Sequence, residues 1–128
     1  MRFVFPVVFE VPDEWWIEAG LRNFKPKTTA YIAQPVTGWP TETVLLAAIR
    51  PPARASGVRN FDRERMVNIL RGIRTDSPMP PVVVHNCPKP SQYLYEVRDG
   101  FHRFYASAAV GFSNLPIEIR PYFDIRAG

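Results

Sequence analysis

Residues 93–111 read Tyr-Leu-Tyr-Glu-Val-Arg-Asp-Gly-Phe-His-Arg-Phe-Tyr-Ala-Ser-Ala-Ala-Val-Gly. The first part, Tyr93 to Val97, is rich in aromatic and β-branched groups and predicts a strand. Asp99-Gly100 predicts a tight turn, because glycine reaches backbone angles that other residues avoid. From Phe101 onward the period changes. At about 100° per residue, Phe101, Phe104, Tyr105, Ala108 and Phe112 fall within about 100° of arc. They form the core face of a helix running to Val110 and stopped by Gly111. His102 and Arg103 lie off that face, in the first turn. A helix start presents amides without intrahelical partners and a partial positive charge. The segment is therefore a candidate anion cradle with an imidazole and a guanidinium beside it. Ala106 and Ala109 are small and predict close approach by a ligand or a neighbouring backbone.

A plain structural account fits the same residues. Asp99 would only cap the helix, His102 would be satisfied by a nearby carbonyl, and Arg103 would pair with Glu96 or Glu118. The residue pattern alone leaves both accounts open.

Outward from this segment, the 14 prolines punctuate short elements. Residues 2–11, with Pro6 among bulky groups, predict an edge strand. Residues 13–19 predict one or two helical turns ended by Gly20, and Tyr31 to Ala33 a short strand. Residues 35–40 predict a loop with Trp39 packed down. Thr43 to Ile49 is an apolar run that predicts a buried strand, halted by Pro51-Pro52. Asp62 caps a predicted helix to about Arg74, with Phe61 and Met66 at the positions of a hydrophobic staple. Met66, Ile69, Leu70 and Ile73 share its apolar face, with Arg63, Arg71 and Arg74 clustered beside it. Pro80-Pro81 leads into a buried strand at Val82 to Val84, and Pro116 into a last short strand at Ile117 to Ile119. Strands and helices mix without regular βαβ alternation. This predicts a single α+β (mixed α/β) domain, a small mixed sheet with flanking helices. Residues 1–42 would add an edge strand and helical turn to a core domain at 43–120, followed by a short tail at 121–128.

A chain of 128 residues can bury a core without staples. The single cysteine, Cys87, excludes an internal disulfide and fits a reducing compartment. The apolar stretch Phe3 to Phe9 is too short to cross a membrane, and no small-residue cleavage pattern follows it. A cytoplasmic protein with no membrane partner is expected. Net charge is +4, and arginine supplies 13 of the 16 basic residues. Arginine's planar fork suits phosphate and carboxylate, although charge alone indicates non-specific attraction. His85 and Cys87 are too few for a structural metal site, so no metal site is expected. Trp15, Trp16 and Trp39 are assigned to packing before base stacking.

From about Thr43 to Ile119 the chain resembles the ParB/sulfiredoxin-like domain family. The matching residues run in order. Ile49-Arg50-Pro51-Pro52 is similar to a strand-to-proline exit. Arg59, Phe61 and Asp62 are similar to an Arg-x-x-Phe-Asp approach with one fewer intervening residue. The helix through Leu70 and Ile73 precedes Pro80-Pro81-Val82-Val83-Val84, and then come Tyr93 to Val97, Asp99-Gly100-Phe101-His102-Arg103, Ala106, Gly111 and Pro116-Ile117. The resemblance implies a nucleotide site in which Gly100, His102 and Arg103 contact phosphate and Arg59 approaches from the facing loop. Phe101 stands where sulfiredoxins carry a cysteine, which argues against sulfinic acid reduction. With nine residues after Ile119, the helix-turn-helix of ParB partition proteins is expected to be absent. No carboxylate cluster suits a two-metal nuclease.

Three functions follow as expectations. The first is binding of a nucleoside phosphate, ATP or CTP with Mg2+, at Asp99, Gly100, Phe101, His102 and Arg103 with Arg59. It would act as an NTP-dependent switch or in phosphotransfer, with His102 and Arg103 as the candidate catalytic groups. The second is nucleic-acid binding, DNA included, through Arg54, Arg59, Arg63, Arg71 and Arg74. The third is a non-enzymatic interaction module with an inactive site. A homodimer through the N-terminal strand is compatible with all three.

Overall fold

In a computed structural model, residues 1–53, 61–89 and 91–121 are described. The Asp99-Gly100 turn sits where expected, between β6 (Tyr95–Asp99) and α3 (Phe101–Val110). Before them come β1 (Arg2–Phe3), β2 (Phe9–Glu10), α1 (Asp13–Glu18), β3 (Thr41–Leu45), β4 (Ile49–Arg50), α2 (Arg63–Arg74) and β5 (Val82–Asn86). After them comes β7 (Asn114–Ile119). The main sheet has the order β3-β7-β5-β6-β4. The β5–β7 and β4–β6 pairs are parallel, and the β3–β7 and β5–β6 pairs antiparallel. This mixed sheet with its helices is the expected α+β fold. No helix among the described residues is long and apolar enough to cross a membrane.

α2 begins as its sequence predicts: the Asp62 carboxylate accepts from the Arg65 N–H at 2.8 Å and satisfies one first-turn amide. Its core face consists of Met66, Val67, Leu70 and Ile73. Val67 takes the place expected for Ile69, which is only half-buried. α3 is buried more completely than one amphipathic face predicts. Phe104, Tyr105, Ala106, Ser107, Ala109 and Val110 are all buried, so the two alanines make room for packing within the protein. Val82 and Val84 of β5 and Leu115 and Ile117 of β7 complete this core. On the opposite face of β7, Glu118 is 2% exposed. Burial favours its protonated form, but hydrogen bonds from Thr37 and Arg120 and the charges of Arg120 and Arg103 outweigh that and hold the carboxyl below its usual range.

Four expectations are corrected. Residues 2–11 form not an edge strand but a separate antiparallel hairpin of β1 and β2. Phe9 and Val11 anchor it in the core, while Val4, Phe5, Val7 and Val8 at its tip are exposed. The run Thr43 to Ile49 is not one buried strand. β3 is an exposed edge, and Leu46–Ala48 forms a 3₁₀ turn. Leu46 and Ile49, three residues apart, are buried, a helical spacing that carries the chain across to β4 on the far edge. Tyr31 to Ala33 makes only an isolated bridge, Ala33 to Met79. Trp39 is 41% exposed.

The β6–α3 turn has a steric reason for its glycine. Gly100 is left-handed at φ 118°. A Cβ there would stand 3.0 Å from both γ-carbons of Val82. Gly100→Ala is therefore expected to lower stability by about 1–3 kcal/mol in urea denaturation. Adding Val82→Ala should relieve the contact but leave the strained φ in place. A variant as stable as the parent would show that the turn is not under this constraint.

Candidate functional site

α2 and the β6–α3 turn face each other across a cleft of about 1050 Å³. Its walls include Asp99, Gly100, Phe101, His102 and Arg103, so the structure brings the whole predicted turn to one hollow. Gly100 is the N-cap of α3, and among the described residues no side chain caps the helix. Asp99, expected as a cap in the structural account, ends β6 with its side chain 79% exposed. The start of α3 thus lies beside the cavity with no capping side chain among the described residues.

The two polar side chains of the turn are held by backbone groups. His102 Nε2 accepts the Asp62 N–H at 2.9 Å, and its ring packs against Phe61 and Phe101. The imidazole is thus engaged by a backbone amide. Arg103 donates from Nη1 to the carbonyls of Pro80 and Pro81 at 2.5 and 2.8 Å. Its side chain is 16% exposed and lies 3.9 Å from Asp99. The expected partners of the structural account, Glu96 and Glu118, belong elsewhere. Glu96 bridges His85 at 3.1 Å and Arg50 at 3.2 Å, and Glu118 binds Arg120 at 2.6 Å. Two successive prolines supply the reason for the Arg103 geometry: they donate no N–H, and their carbonyls enter β5 in need of a donor. The Tyr31 hydroxyl also reaches Pro80, at 2.7 Å, and burial pushes its pKa up to about 12.

The arginines proposed for nucleic acid divide in two. Arg54 and Arg59 lie outside the described residues. Arg63 grips the Glu18 carboxylate at 2.7 and 2.8 Å. Arg71 donates to the Glu18 carbonyl at 3.3 Å, and Arg74 to the Ala19 carbonyl at 3.1 Å. These three fasten α1 to α2, although Arg71 and Arg74 also reach the cleft wall.

Sequence reasoning missed Arg65. It lines the cleft with Asn68, Ile69 and Gly72, and its guanidinium makes no hydrogen bond or ion pair among the described residues. The signal was present in the helical wheel. At about 100° per residue, Arg65, Ile69 and Gly72 fall within about 60° of one another, on the flank away from Arg63 and Arg71.

The family model of the ParB N-terminal domain matches residues 34–127, a span that holds α2, β6, the left-handed Gly100 and the start of α3. The chain belongs to the ParB N-terminal domain family. Among solved structures, the fold is similar to the C-terminally truncated chromosome-partitioning protein ParB of Caulobacter crescentus in complex with CTP-γ-S. The TM-score is 0.53 at 20% identity, over 67% of this chain and 47% of that one. It is also similar to sulfiredoxin of Arabidopsis thaliana, with TM-score 0.51 at 22% identity, over 63% of this chain and 84% of that one. The chain thus spans about half the length of the ParB structure. No curated protein matches it by sequence. At these identities the structural likeness is one of fold. In this ParB-like frame, Arg103 ties α3 to the start of β5. Arg103→Met is expected to lower stability by about 1.5–3 kcal/mol in urea denaturation, because it leaves two proline carbonyls short of a charged donor. An unchanged midpoint would remove Arg103 from the framework.

Proposed function

We propose that this ParB-family domain binds a nucleoside phosphate, CTP or ATP with Mg2+, with the phosphates at the start of α3. The observation that carries this reading is the N-terminus of the ten-residue α3, uncapped among the described residues, opening into a large cleft across from Arg65. A helix N-terminus attracts anions through aligned amides and a partial charge. That attraction alone contributes about 0.3–1 kcal/mol at an exposed site. A charge-assisted bond from an arginine adds directional strength, and Arg65 is a cleft cation whose guanidinium makes no hydrogen bond or ion pair among the described residues. The CTP-γ-S complex of the Caulobacter protein supports a nucleotide as the ligand class. A nucleotide-dependent switch is the favoured role over phosphotransfer, since His102 Nε2, the natural proton carrier of the turn, is engaged by Asp62. The nucleic-acid reading has a weaker footing, with Arg63, Arg71 and Arg74 bonded to α1.

Isothermal titration calorimetry with CTP, ATP and ADP, with and without Mg2+, tests the proposal. At least one triphosphate should bind, and Arg65→Ala should weaken it about tenfold, or about 1.4 kcal/mol. No heat with any nucleotide would sink the proposal. Steep loss of DNA binding with salt, with no nucleotide binding, would favour the nucleic-acid reading.

A further inference from the structure

Arg65 and the start of α3 line the same cleft from different helices, so something must fix their separation. A backbone N–H can only donate, so the 2.9 Å bond from Asp62 N–H makes His102 Nε2 an acceptor. The neutral ring then carries its hydrogen on Nδ1. The same Asp62 accepts the Arg65 N–H on its carboxylate at 2.8 Å. A chain of two hydrogen bonds therefore runs from the first turn of α3, through the N-cap of α2, to Arg65, which lines the cleft. Phe61, next to Asp62, packs its ring against His102, Phe101 and Tyr105, with centroids 5.7, 5.3 and 5.4 Å away. The junction is thus fixed by packing as well as by bonds.

We propose that His102 is a positioning residue: held as its Nδ1–H tautomer by the Asp62 amide, it sets Arg65 against the start of α3. The ligand consequences rest on the nucleotide-binding reading, whereas the tautomer and the coupling to Arg65 do not. An imidazolium that donated from Nε2 to phosphate would have to abandon Asp62, so His102 acts through Arg65 instead of through charge on its own ring.

The test uses the whole chain in three measurements. At pH 8, where an ordinary imidazole is neutral, side-chain ¹⁵N resonances of His102 should show Nδ1 protonated and Nε2 bare. A protonated Nε2 overturns the proposal. Amide exchange should then separate the bond from the ring. His102→Phe keeps the packing but removes the acceptor, and should speed exchange at Arg65 relative to Leu70 in the same helix. His102→Gln places an oxygen near the Nε2 position and should restore protection. Equal Arg65 exchange in all three proteins overturns the coupling. Finally, with inorganic triphosphate as the probe, His102→Phe and Arg65→Ala should each weaken binding about tenfold, and together no more than either alone. Additive losses would assign the two residues independent roles and overturn the proposal. If the parent chain does not bind triphosphate, the nucleotide reading fails and the first two measurements alone decide the role of His102.

Discussion

The close approach of Gly100 to Val82 is the constraint on which the rest of the structure depends. A strand must end and a helix begin within one residue, pressed against β5 so closely that a Cβ would stand 3.0 Å from Val82. Only a left-handed glycine meets both conditions. With that junction set, Arg103 reaches the carbonyls of Pro80 and Pro81, His102 reaches the amide of Asp62, and the Tyr105 hydroxyl reaches the Pro52 carbonyl at 2.8 Å. The first turns of α3 thereby hold the starts of β5 and α2 and the exit of β4. Moving this turn would move every wall of the cleft.

The arrangement divides labour differently from what residue types suggest. An imidazole and a guanidinium at a helix start look like ligand groups, yet here they satisfy backbone atoms of the protein. Leaving those atoms unpaired would cost roughly 1–3 kcal/mol each, comparable to what one phosphate contact contributes. In the proposed function, an anion in the cleft would therefore meet the α3 amides and Arg65. The acidic and basic groups on the far face of the sheet, Glu96 with His85 and Arg50 and Glu118 with Arg120, form their own pairs away from the cleft.

Much of the fold was legible because strong local signals agreed with the final packing. The Asp62 cap, the apolar face of α2 and the Gly100–Gly111 bracket around α3 each rest on neighbours within a few residues. What was misjudged depends on distant partners. The run from Thr43 to Ile49 has strand composition throughout, but its two ends belong to opposite edges of the sheet. Residues 2–11 had nothing in their own pattern to say whether they pair with the main sheet or with each other. The turn at 99–103 was located by period and by resemblance, whereas the partners of His102 and Arg103, about 40 and 22 residues away, have no local signature. Arg65 stands on the flank of α2 away from Arg71, and only the distant β6–α3 turn gives that flank a cleft to face.

The central claim is that the backbone amides at the start of α3, with Arg65, hold the anion, while His102 and Arg103 maintain the frame. Titrating ¹⁵N-labelled protein with the best-binding triphosphate and following amide and arginine side-chain resonances tests it directly. The account predicts the largest saturable shifts at the amides of Phe101, His102 and Arg103 and at the Arg65 guanidinium, with the Arg103 guanidinium little changed. Saturable shifts centred elsewhere in the chain, with the start of α3 unmoved, would contradict it.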